Sequence, residues 1–153
     1  MKTVKAEALA EYVGQSLGQS EWFQIDQDRI NRFADATLDH QFIHVDPEKA
    51  KHTPFGGTIA HGFLILSLLP YFQSKMADMI VPDGLKMGMN YGFDKIRFLA
   101  PVSVDSTVRC VATLKEMTEK KPGQFLFKVE LSVEIEGEDK PALIADWLLM
   151  YFV

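Results

Sequence analysis

Cysteine is almost absent from this chain. Cys110 stands alone, so no internal disulfide can form and nothing asks for an oxidising compartment. It lies in a strand-like run, Val108 to Leu114, where a lone thiol reads as a small buried hydrophobe. Positive charge is also in deficit. Sixteen Lys and Arg face 21 Asp and Glu, giving a net charge of -5, which argues against the basic face that a nucleic-acid partner requires. A small anionic ligand remains open, because a local cluster can oppose the global sign. Long apolar runs are missing as well. Neither Phe63 to Leu69, interrupted by Ser67, nor Trp147 to Val153 approaches the ~20 residues that cross a bilayer. Met1 to Ala10 alternates charge with alanine and leucine and lacks the apolar centre of a signal peptide. The expectation is a cytoplasmic protein with no membrane and no nucleic-acid partner. There is no repeat, low-complexity segment or long linker, so the 153 residues, 47% of them hydrophobic, read as a single domain, 1–153, with a full core.

What is present changes character along the chain. The first half reads mainly helical. Asp26 is a good N-cap, and Ile30, Phe33, Ala34 and Thr37 follow the spacing of one buried helical face that stops near Asp39. Asp46-Pro47-Glu48 reads as the start of a short second helix. From Gly62 to about Met79 the apolar residues face every side, which predicts a helix buried all round, with a kink or break at Pro70. Such a helix needs a wrapping, and the second half supplies it. Phe125 to Glu136 and Val104 to Lys115 alternate with a period of two, and Pro122-Gly123 between them signals a turn. Leu85 to Leu99 makes a further strand. Ala142 to Val153 is apolar on both faces, which predicts a central strand covered on its outer side by another subunit. Antiparallel strands wrapped around one buried helix give an α+β domain.

The chemistry-bearing residues gather just past the first helix. Asp39 and His44, five apart in what reads as a loop, can share a water and each exchange a proton near neutral pH. Taken singly, Asp39 also fits a helix-terminal turn residue, and His44 a hydrogen-bonded core histidine. Gly62 opens the buried helix, where a free N–H could meet an oxyanion; it also fits a glycine needed for close packing. All four histidines fall between His40 and His61, but no Glu or Cys stands at a known ligand spacing, so no metal is expected. Lys86, Lys95 and Arg97 read as solvated surface.

The stretch from Phe33 to Pro47, containing Asp39-His40-Gln41-Phe42-Ile43-His44, resembles the signature of MaoC-like hot-dog-fold hydratases, which have Gly-Asp-x-Asn-Pro-x-His. These include the (R)-specific enoyl-CoA hydratases and the nodulation protein N group. Phe55 to Phe63, with His61-Gly62, resembles the family's second motif. Asn90 to Phe93 and Arg97 to Val102 resemble its later strand. The resemblance spans roughly residues 20 to 153.

It implies a hot-dog fold, a curved antiparallel sheet around one long buried helix, usually as a homodimer. It implies hydration of trans-2-enoyl-CoA to (R)-3-hydroxyacyl-CoA, or the reverse dehydration, without a cofactor. Asp39 would be the general base and His44 its acid–base partner. The Gly62 N–H would bind the thioester carbonyl, Ser67 would support the Asp or the water, and Gln41 would stand in the substrate-binding place of the motif's asparagine. Leu38 departs from the usual glycine, so the loop must reach Asp39 without that residue's backbone freedom. A thioesterase on the same fold and a non-catalytic acyl-CoA-binding module are the alternatives, and Leu38 is the feature that favours the latter. Acyl chain length is not legible.

Overall fold

The computed structural model describes residues 1–153. Four strands are short: β1 (Lys2–Val4), β2 (Ser16–Gln19), β3 (Phe23–Gln24) and β4 (Ile80–Pro82). Four are long: β5 (Met87–Phe98), β6 (Thr107–Lys121), β7 (Gln124–Ile135) and β8 (Leu143–Phe152). The main sheet is antiparallel in the order β2-β6-β7-β8-β5, with β3 also on β6. β1 and β4 form a small parallel pair beside it. β1 to β3 lie in the half that reads as mainly helical from sequence and β4 just past it; runs of two to four residues carry no usable period.

The strong period-two patterns became β6 and β7, and they turn at Gly123, whose φ of 74° suits glycine. Their inward residues, among them Val108, Leu114, Phe127 and Val133, are buried in one apolar cluster. Arg109 and Glu134 pair across the outer face at 2.7 Å. Register shifts in β6 and β5 bend the strands, as bulges do. β8 lies between β7 and β5, one strand in from the edge, with its alternate residues half-buried.

Asp26 caps α1 (Gln27–Thr37) by accepting from the Arg29 N–H at 2.8 Å. Ile30 and Ala34 are buried and Phe33 half-buried, but Thr37 is exposed and donates to the Phe33 carbonyl instead. Two one-turn helices follow, α2 (Phe42–Val45) and α3 (Pro47–Ala50), the second capped by Asp46 at the Lys49 N–H. His44 therefore sits on a helical turn rather than in a loop.

The expected long helix is α4 (Gly62–Ser67) and α5 (Leu69–Ser74), two pieces broken at Leu68. Pro70, in the first turn of α5, lacks the N–H that would continue the ladder. Leu64, Ile65, Leu69 and Phe72 pack into the concave side of the sheet. Burial is not all round: Phe63 is 66% exposed, and Ser67, Pro70 and Tyr71 also face outward. With that correction, the chain is a curved antiparallel sheet wrapped on a central helical segment, the hot-dog arrangement that the resemblance implies.

Candidate active site

The site forms where α1 ends, α2 turns and α4 begins. Leu38 terminates α1 with φ 64° and ψ 20°, in the left-handed region, its side chain 81% exposed. A leucine thus adopts the backbone that glycine reaches freely, at about 1–2 kcal/mol. Asp39 follows on the surface, its carboxylate accepting from the Gln41 N–H at 3.3 Å.

His44 is 7% exposed. Its Nδ1 lies 2.7 Å from the Ile59 carbonyl. A carbonyl only accepts, so Nδ1 carries the proton and Nε2 is left with a lone pair. Burial lowers the His44 pKa below the ordinary histidine value. The bond to Ile59 opposes that shift, the neighbouring His61 adds to it and the Asp39 charge opposes it. The resting ring is therefore neutral, with Nε2 available as an acceptor.

Ile59 is held in turn. Its N–H donates to the Ile43 carbonyl, and the flanking Ala60 and Val104 N–H groups join Val102 and Thr58. Gln27 on α1 braces the same place. Its amide donates to the His44 carbonyl at 2.8 Å and accepts from the buried Thr58 hydroxyl at 2.5 Å.

His61, 2% exposed, stacks on His44 with ring centroids 3.8 Å apart and planes at 25°. Its Nε2 lies 2.9 Å from the Asp39 carbonyl, and its Nδ1 is buried without a partner. An unmet buried acceptor of this kind costs about 1–3 kcal/mol. Asp39, His44 and His61 present ligand-type atoms within 4.8 Å of one another. Histidine binds metals in the ring plane, and these planes are almost parallel, so a shared ion would lie well out of both. The arrangement suits proton transfer better than ligation.

A groove of about 320 Å³ opens beside His44, lined by Gly62 and by apolar residues including Ile65, Phe98 and Ala142. Gly62 begins α4, so its N–H has no intrahelical partner. Close packing also requires it: a Cβ there would lie 2.9 Å from the Phe98 ring. The structure thus brings together Asp39 and His44, with Gly62 on the same groove as His44. Ser67 stands apart from this group, and Gln41 reaches it only through its main chain. The Ser67 hydroxyl donates to the Phe63 carbonyl on the exposed side of α4, and the bond from Gln41 to Asp39 comes from its backbone. The residues missed from sequence are Gln27, Thr58 and, in its contact with both Asp39 and His44, His61. The last was visible only as part of a motif.

Comparison with known proteins bears on the family and the fold. The model of the MaoC-like domain matches residues 8–135. The chain is 46% identical to 3-hydroxyacyl-thioester dehydratase Z of Mycobacterium tuberculosis over 152 residues, 99% of each chain. It is 49% identical to Nodulation protein N of Rhizobium leguminosarum bv. viciae, over 89% of this chain and 84% of that one. Among solved structures, the monoamine oxidase regulatory protein from Archaeoglobus fulgius superposes with a TM-score of 0.82 at 23% identity, covering 99% of this chain and 96% of that one. On a family match across most of its length and relatives covered almost end to end, the chain belongs to the MaoC-like dehydratase family.

Proposed function

We propose that this single-domain chain is a cytoplasmic, homodimeric hydratase/dehydratase of acyl-CoA thioesters that adds water across trans-2-enoyl-CoA to give (R)-3-hydroxyacyl-CoA. The observation that carries the reading is the His44 Nδ1–H bond to Ile59, which leaves Nε2 as the free acceptor of a ring that has Asp39 within 4.8 Å and an apolar groove alongside. The activity in the name of the M. tuberculosis relative supports the same class.

The steps follow from the groups. Water donates one hydrogen to the Asp39 carboxylate and the other to His44 Nε2, which aims its oxygen at the β-carbon. Asp39 takes a proton as the C–O bond forms. The electron pair of the double bond moves onto the thioester carbonyl oxygen, where the Gly62 N–H meets the developing charge. The proton held between Asp39 and His44 then passes to the α-carbon as the carbonyl re-forms. No redox cofactor enters this balance.

Absorbance of the enoyl-thioester band tests the proposal, with crotonyl-CoA and then a longer trans-2-enoyl-CoA. The band falls with wild type and persists with Asp39→Asn. Persistence with both proteins, without release of free thiol, would move the reading to an acyl-CoA-binding module. Release of thiol would move it to a thioesterase.

A further inference from the structure

We infer that His61 is a positioning residue for the Asp39–His44 pair, one buried ring that ties the Asp39 backbone and forms the wall on which His44 rests. The inference builds on the hydratase reading but stands on its own geometry. Asp39 comes directly after the left-handed Leu38, on an exposed turn, and its carboxylate is bound to its own loop. The His61 Nε2–H ties the Asp39 carbonyl to the start of α4, 22 residues on in the chain. Because that carbonyl can only accept, the proton must be on Nε2, which fixes the tautomer. The same ring is stacked on His44 and also packed against Phe33, with centroids 5.0 Å apart. His44 is thereby clamped between its Ile59 bond and the His61 face.

Packing alone does not explain a histidine here. An apolar ring would fill the space and leave no unpartnered Nδ1. What histidine adds is the Nε2–H, and its recipient is the backbone of the proposed base. His61 also affects His44 electrically, as one of the causes that lower its pKa after burial. The titratable groups that face His61 are His44 on α2 and Asp39 in the loop; α1 contributes the uncharged Phe33.

Two variants separate the bond from the packing. His61→Phe keeps a stacked ring and loses the N–H. His61→Gln loses the ring and keeps an N–H at the reach of Nε2. Steady-state hydration of crotonyl-CoA, far-UV circular dichroism and NMR titration of His44 are measured on each. A positioning role gives a kcat about 10²-fold down in His61→Phe with KM nearly unchanged, most of that loss recovered in His61→Gln, and a His44 midpoint moved upward in His61→Phe. A purely structural role gives the opposite order, with Phe the better replacement, and overturns the inference, as does wild-type kcat in His61→Phe. If either variant fails to fold, the wild-type NMR coupling across the His61 Nε2–H to the Asp39 carbonyl decides: present, the tie stands; absent, it falls. If wild type hydrates no enoyl thioester, the hydratase reading fails separately. That coupling and the His44 midpoint then decide the positioning claim without turnover.

Discussion

At the scale of the residue, His44 has the most readable behaviour. In the proposed reaction its neutral form supplies the Nε2 acceptor, and burial lowers its pKa. The acid limb of kcat/KM is therefore expected with a midpoint below about pH 6.5, the ordinary histidine value. A limb at or above that value would contradict the assignment. The same shift carries a stability consequence. A group whose folded pKa is depressed is protonated more readily in the unfolded chain, so its stabilisation is present above the unfolded value. It is lost as pH falls through the folded one. Denaturant midpoints should drop on acidification through this window, and less so in His44→Asn. Leu38 and Gly62 invite opposite substitutions. Leu38→Gly relieves a left-handed leucine but adds unfolded-state entropy, for a net gain below about 1 kcal/mol by denaturant titration. Gly62→Ala drives a Cβ into the Phe98 ring. It is expected to destabilise by about 1–3 kcal/mol and, on the proposed mechanism, to lower kcat/KM for crotonyl-CoA by crowding the N–H proposed to meet the carbonyl.

At the scale of the element, Gln27 shows how α1 holds the site without entering it. Its amide connects the His44 carbonyl to the buried Thr58 hydroxyl. Gln27→Leu leaves both groups unmet, and a loss of about 1–3 kcal/mol in denaturant stability is expected; an unchanged midpoint would show the brace to be dispensable. Periodicity made α1, β6 and β7 legible in the sequence, because each keeps one buried face over two or more turns or several alternations, and β8 was legible as a run apolar on both faces. It could not show α2 or β1 to β4, which are too short to display a period, nor the exposed face of α4 and α5, since apolar composition alone does not say whether one chain supplies the cover. The candidate pair was legible as Asp39 and His44 because the two lie five positions apart in a stretch that resembles the family's first motif. The partners that orient them were not. Ile59 and His61 arrive through the fold from 15 and 22 residues away, and neither a backbone carbonyl nor a tautomer leaves a mark in sequence.

At the scale of the whole molecule, the uncovered apolar surface is the unsolved part of the fold. Phe63 and Tyr71 stand out from the central helical pieces, and Met87, Met89 and Tyr91 from β5. β5 is also an edge strand, with a row of backbone groups unpaired on one side. A monomer that exposes this much apolar surface beside an open edge is a poor end state, and a second copy of the chain fits the need. Phe98, on the same strand, lines the groove beside His44, so pairing there would also stiffen one wall of the site. Analytical ultracentrifugation is expected to give a species of about twice the 17.3 kDa chain mass, shifting toward the monomer on dilution. Met89→Lys, which places a charge on the exposed edge, should favour the monomer and lower the concentration-dependent part of thermal stability. If wild type sediments as a monomer at every concentration, the proposed dimer fails, and the exposed aromatics must instead be covered by a ligand or a different chain.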